Sequence, residues 1–277
     1  MPVMTDPFAF DIGDPDEPLG LQLSDLTCPE AYPSADAHRF ELNSRGDRVP
    51  GRLLLPEARS GPCPLILLLG DAGASHDSTT LDFAEPWIRH GFAIATLDLS
   101  LHGERSSAKF SERLLDSIAS AQQETDLEDS SRENAAVNGR ALLLEFTRQS
   151  VCDLSRTLDG LISLPAIDAG RIGALGLGHG AAIVAIFASL DPRIKAVALA
   201  DCRAIRSHEI DPQEFVGRIG PRPVLLMETN PSKAGDALYE ACADPRRRGP
   251  SCGANGMLSS AAVENAGKFF AERLGTS

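Results

Sequence analysis

Residues 171–190 read Arg171-Ile172-Gly173-Ala174-Leu175-Gly176-Leu177-Gly178-His179-Gly180, then Ala181-Ala182-Ile183-Val184-Ala185-Ile186-Phe187-Ala188-Ser189-Leu190. Residues 172–177 form an apolar run with no polar alternation, which marks a strand buried on both faces. Residues 181–190 are apolar all round and predict a helix inside the core. Gly176, Gly178 and Gly180 join the two, so strand and helix meet through a tight turn that excludes bulk. The spacing is not that of a dinucleotide fingerprint. The third glycine of G-x-G-x-x-G is missing, position 181 is alanine, and no ribose-binding acid follows at the right distance.

The same alternation extends outward from this turn. Apolar runs at 64–69, 92–98, 194–200 and 223–227 predict further buried strands. Helical segments are expected at 81–90 and 261–274, and Leu144, Val151, Leu154, Leu158 and Leu161 share one face of a long helix over roughly 139–163. Strands separated by helices imply a mainly parallel, twisted sheet with helices on both faces. Ahead of it, residues 38–42 and 49–55 flank Ser44-Arg45-Gly46-Asp47, a β-hairpin with its turn placed at Gly46-Asp47. Residues 1–36 are rich in proline and aspartate without a period and read as an irregular arm. Residues 37–277 then form a single α/β domain, with the polar stretch 106–136 a candidate cap or insertion.

Composition narrows the function classes. The chain has 277 residues, 43% of them apolar, and a formal net charge of −13. That balance disfavours a hold on nucleic acid or on an anionic membrane. The one basic run, Arg246-Arg247-Arg248, is expected to be a solvated loop. The six cysteines show no C-x-x-C pair, the first twenty residues are acidic, and no apolar stretch reaches membrane-spanning length. These features lead us to expect a soluble cytoplasmic protein.

Three segments, in order, resemble the α/β-hydrolase superfamily, most closely its bacterial members similar to dienelactone hydrolases and acetyl esterases. Leu69-Gly70-Asp71-Ala72-Gly73-Ala74-Ser75-His76-Asp77 resembles the loop that supplies an oxyanion-hole amide. Asp98-Leu99-Ser100-Leu101-His102-Gly103-Glu104-Arg105 resembles the Asp-x-x-x-His-Gly-Glu-Arg turn after the next strand. Gly176-Leu177-Gly178-His179-Gly180 stands where the family carries Gly-x-Ser-x-Gly, the nucleophile elbow. The order and spacing match over roughly 38–275. The resemblance implies the α/β-hydrolase fold and carboxylic-ester chemistry. In that chemistry a serine is activated by a histidine, the histidine is oriented by an acid, and two amides stabilise the oxyanion.

The machinery itself departs from that pattern. Gly178 occupies the nucleophile position. Asn255 stands nearest the base position, and an amide cannot act as a general base. The acid loop offers Glu228, Asn230 and Asp236, none at the expected place. Asp71 replaces a glycine beside the hole, where its charge would oppose a developing oxyanion.

Oxyanion-loop and pocket candidates are Asp71, Ala72, His76, His102, His179 and Asp201, all expected near the carboxyl ends of strands. His179, at a helix N-terminus, is expected to be neutral. No metal-ligand spacing occurs, and neither a metal nor a cofactor is expected. The expectation is a catalytically degenerate hydrolase-like protein that binds a small molecule or a protein partner, with homo-oligomerisation left open. The alternative is an active enzyme, a hydrolase of an ester or related acyl substrate or another activity, using a rearranged His/Asp site.

Overall fold

The computed structural model describes residues 16–26, 32–77, 84–122, 130–205, 207, 209–230, 232–252 and 258–275. The nine strands among these are β1 (Gln22–Asp25), β2 (Ala35–Ser44), β3 (Asp47–Pro56), β4 (Cys63–Leu69), β5 (Ala93–Leu97), β6 (Ile167–Leu177), β7 (Ile194–Ala200), β8 (Val224–Met227) and β9 (Arg246–Arg248). The helices are α1 (Ala84–Arg89), α2 (Ala108–Gln122), α3 (Ser130–Leu161), α4 (His179–Leu190), α5 (Gln213–Val216), α6 (Lys233–Ala241) and α7 (Ser260–Leu274).

The strands form one sheet in the order β1-β2-β3-β5-β4-β6-β7-β8-β9. The first three strands run antiparallel and β3 meets β5 antiparallel, whereas every pairing from β5 through β4 to β9 is parallel. The expected mainly parallel sheet with an N-terminal hairpin is thus present.

The pleat explains why the central strands contain no polar alternation. In β4, Leu65, Leu67 and Leu69 enter the core on one face while Ile66 and Leu68 enter the core on the other. The first core is closed by α3 and α4 through Val151, Leu154, Leu158 and Ile186. The second is closed by α1 and α7, where Trp87 meets Phe270 edge-on with ring centroids 5.8 Å apart. The 181–190 run is buried almost throughout, as its composition requires.

Three local expectations are corrected. The hairpin turn is Arg45-Gly46, one residue earlier than expected, because Ser44 pairs with Asp47. Both turn residues have positive φ, 51° and 75°, as a two-residue hairpin demands, and Arg45 is an unusual residue to accept it. The Glu17 carboxylate accepts the amides of both turn residues at 2.9 and 2.8 Å. The stretch read as an irregular arm therefore holds this turn, and it also contributes β1 by pairing Gln22–Asp25 with β2. Residues 1–15 and 27–31 lie outside the described residues.

The third correction concerns Arg246-Arg247-Arg248, which forms the edge strand β9 rather than a loop. The alternating side chains find aromatic faces on both sides. The guanidinium groups of Arg246 and Arg248 lie 4.7 and 4.6 Å from the Tyr239 ring centroid, and that of Arg247 lies 4.8 Å from Phe269. Guanidinium groups seated on ring faces explain how three consecutive cations occupy a strand.

The 106–136 stretch contains helix α2 and the beginning of α3, and 123–129 lies outside the described residues. Among the described residues no helix is long and apolar enough to cross a membrane.

Candidate functional site

The site is built around the β6–α4 turn. Gly178 has φ 55° and ψ −119°, a left-handed conformation that disfavours a side chain. A β-carbon at Gly180 would lie 2.2 Å from the Gly70 carbonyl oxygen, so the α4 N-terminus presses directly on the loop after β4. The Asp71 carboxylate enters this contact.

Asp71 Oδ1 accepts the Ala72 amide at 2.7 Å and the His179 amide at 2.7 Å. These are the loop amide after β4 and the first amide of helix α4. Together they make an anion receptor reinforced by the helix dipole. The carboxylate also fills the space above the elbow. A β-carbon on Gly178 would fall 2.1 Å from Asp71 Cγ and 2.2 and 2.4 Å from its oxygens. One side chain thus occupies both the amide pair and the volume where a residue at position 178 would project. The repulsion expected from Asp71 takes a different form, in which the aspartate itself is the anion held by the amides.

Asp71 forms one wall of a cleft of about 580 Å³. Asp201, Cys202, Arg203, Glu228, Thr229, Asn230 and Ser232, from beyond the ends of β7 and β8, line it further together with Ala204 and Ala234. Asp201 adopts φ 47° and turns its carboxylate onto Thr229, accepting the backbone amide at 2.6 Å and the side-chain hydroxyl. Burial pushes the Cys202 thiol up and holds it protonated. Glu228 and Asp236, the carboxylates of the acid loop, are both bound by Arg248, at 2.7 and 2.6 Å. Asn230 lines the cleft, while Asn255 and His208 lie outside the described residues.

The three histidines do not share this cleft. His179 and His102 are buried, and their rings stack on Phe146 with centroids 5.7 and 5.3 Å away. His102 Nδ1 donates to the Ser100 carbonyl at 2.8 Å, which leaves Nε2 as the unprotonated nitrogen. Among the described residues neither ring nitrogen of His179 has a hydrogen-bond partner. Burial depresses the His179 pKa to about 4, opposed by Asp71 and assisted by His102. His179 is therefore neutral at pH 7, as expected, but through desolvation more than through the helix terminus. Burial likewise lowers the pKa of His102.

His76 belongs to a separate cluster. Its Nδ1 lies 2.9 Å from Asp98 Oδ1 and its Nε2 lies 3.3 Å from Asp77. Asp98 is fully buried and accepts the backbone amides of His76 and Glu104, each at 2.7 Å. Burial pushes its carboxyl up, but these bonds outweigh that and hold it below the usual range. A β-carbon on Gly103 would lie 2.2 Å from the same carboxylate. Arg105 then donates to Asp153 at 2.7 Å and to Asp47 at 2.6 Å, tying the turn to α3 and the hairpin. This cluster shapes loops rather than the cleft.

Among the described residues no group of three or more His, Cys, Asp or Glu side chains is arranged to hold a metal ion. The sequence reading missed Phe146, whose place between two histidines follows from helix packing, and Arg248, which the sheet register brings to the acid loop. Thr229 and Ser232 were also missed, since no motif marks them.

No protein-family model matches the chain, and no curated protein matches it. Solved structures do. An acetyl xylan esterase from Paenibacillus sp. R4 superposes with a TM-score of 0.69 at 16% identity, over 93% of this chain and 90% of that one. Acetyl xylan esterase 1 from Thermoanaerobacterium sp. JW/SL YS485 gives 0.65 at 13% identity, over 92% and 88%. A glucuronoyl esterase from Solibacter usitatus gives 0.64 at 13% identity, over 95% and 90%. Identities this low speak to architecture alone. A mostly parallel nine-stranded sheet with helices on both faces, a β6–α4 elbow and these superpositions together give the chain the α/β-hydrolase fold.

Proposed function

We propose that this chain is a degenerate member of the esterase-like hydrolases, related in type to the dienelactone-hydrolase and acetyl-esterase group. In this reading it has lost serine acyl transfer and acts by binding a small molecule in the cleft at the ends of β7 and β8. One observation carries the proposal. The Asp71 carboxylate sits on the Ala72 and His179 amides and fills the space above Gly178. An ester carbonyl oxygen cannot use amides that already hold a carboxylate. Residue 178 has no side chain to attack with, and neither buried histidine lines the cleft.

The cleft supports a small polar ligand over a protein partner, because its walls are concave and carry hydroxyl, amide and charged groups. In the same proposal residues 37–277 form one domain, to whose sheet Gln22–Asp25 of the N-terminal stretch add a strand, and the protein works in the cytoplasm without a cofactor.

The test is hydrolysis of p-nitrophenyl acetate against a heat-denatured control, together with intact mass after treatment with a serine-directed fluorophosphonate. No turnover above control and no adduct are expected. Saturable turnover lost on His179→Ala or His102→Ala would overturn the proposal, as would a stoichiometric phosphonyl adduct.

A further inference from the structure

We propose that the chain's own segment Asp6–Asp11 docks in an apolar groove between α2 and α3, with Phe8 and Phe10 as its anchors. The groove shares no lining residue with the cleft beyond β7 and β8, so the inference stands apart from the receptor reading.

The groove has a volume of about 320 Å³ and lies beside the turn after β5. Leu101, Phe110, Leu142 and Phe146 give it an apolar surface. Phe110, at 49%, is the most exposed large apolar side chain among the described residues. A ring in water at the mouth of an apolar concavity fits an apolar occupant. The two carboxylates on the rim are already neutralised, Asp47 by Arg105 at 2.6 Å and Glu145 by Arg45 at 2.9 Å.

The course of the N-terminal stretch names the occupant. A β-carbon on Gly160 of α3 would lie 3.2 Å from Leu19 and 3.5 Å from Leu21. One turn earlier in α3, the Arg156 guanidinium donates to the Glu17 carbonyl. The Glu17 carboxylate then holds the Arg45-Gly46 turn, where Arg45 pairs with Glu145 and Gln149 donates to the Ser44 carbonyl at 3.4 Å. From residue 21 back to residue 17 the chain thus runs along α3 toward Gln149 and Glu145, which line the groove. Continuation along the same helix carries the preceding residues into it. Seven residues separate Glu17 from Phe10 and span about 23 Å when extended, whereas Arg156 and Phe146 are about 15 Å apart along α3.

The residues of the segment match the groove. Phe8 and Phe10 flank Ala9, and side chains two apart on an extended chain project to one side. Pro7 and Pro15 favour extended backbone before them. Asp6 and Asp11 bracket the two rings. Lys109 precedes Phe110 and Arg113 follows it by one turn, and both are exposed without an ion-pair partner among the described residues. These cations complement the bracketing aspartates, and the covalent link keeps the effective concentration of the segment high.

The experiment places p-benzoylphenylalanine at position 110 of the full chain, irradiates it at low concentration and maps the crosslinks by mass spectrometry after Asp-N digestion. The expected result is a crosslink to residues 6–10 within a single chain, lost in Phe8→Ser/Phe10→Ser, which changes none of the described residues. A crosslinked dimer would assign the groove to a second copy and overturn the proposal. So would crosslinks that never reach residues 1–15, or a crosslink undiminished in the double variant. None of these outcomes bears on fluorophosphonate labelling or ester turnover, on which the receptor reading stands.

Discussion

Replacing Gly178 by alanine probes the closed elbow with a single methyl group. The new β-carbon would lie 2.1 Å from Asp71 Cγ and 2.2 Å from Oδ1, well inside van der Waals contact. Asp71 cannot swing away without releasing two amide bonds of 2.7 Å. Overpacking of this kind costs about 1–3 kcal/mol. The left-handed backbone at position 178 adds about 1–2 kcal/mol once a β-carbon is present. Gly178→Ala should therefore lower stability by about 2–5 kcal/mol in urea denaturation. Combining it with Asp71→Gly removes the obstruction and leaves only the backbone strain. The double-mutant cycle should then report a coupling of about 1–3 kcal/mol, in the sense that the second change relieves the first. Additivity within about 0.5 kcal/mol would refute the claim that Asp71 occupies the space above the elbow.

Two further outcomes follow from burial. Ile186 is fully buried in α4, so Ile186→Asp should abolish the cooperative melt through an uncompensated charge worth about 3–5 kcal/mol, and an unchanged thermal transition by circular dichroism would disprove its place in the core. His179 titrates at about 4 when folded and near 6.5 when unfolded, so the unfolded chain binds more protons between those values. The stabilising effect is complete above pH 6.5 and declines as the pH falls toward 4. His179→Phe should flatten the loss of stability between pH 7 and pH 5 by about 2 kcal/mol, and equal slopes for the two proteins would refute it.

The parts of the molecule legible in the sequence are those set by short-range sterics and by the pleat. The 172–190 segment announces strand, tight turn and helix because Gly178 and Gly180 lie where a β-carbon has no room. The 64–69 run reads as a doubly buried strand because both faces of β4 meet a core. The hairpin turn was placed one residue late because Arg45 at positive φ is a poor turn residue, and its stabilising Glu17 lies 28 residues away. The β9 strand was missed because arginine carries no strand signal until Tyr239 and Phe269 are known to flank it. The absence of a side chain at position 178 can be read from the sequence, but the occupant of the amide pair cannot. Asp71 and His179 are 108 positions apart, and only the packing of α4 onto the loop after β4 joins them.

The two ends of the sheet have a common consequence for association between copies. β1 has four residues, all exposed, and β9 has three, all arginine. A second chain pairing along β9 would find only three residues to bond with. One pairing along β1 would find too few backbone partners to hold. Short borders of this kind discourage strand-to-strand growth. Among the described residues the sheet thus ends in two borders too short to template another molecule's strand, which turns association between copies toward helical and loop surfaces.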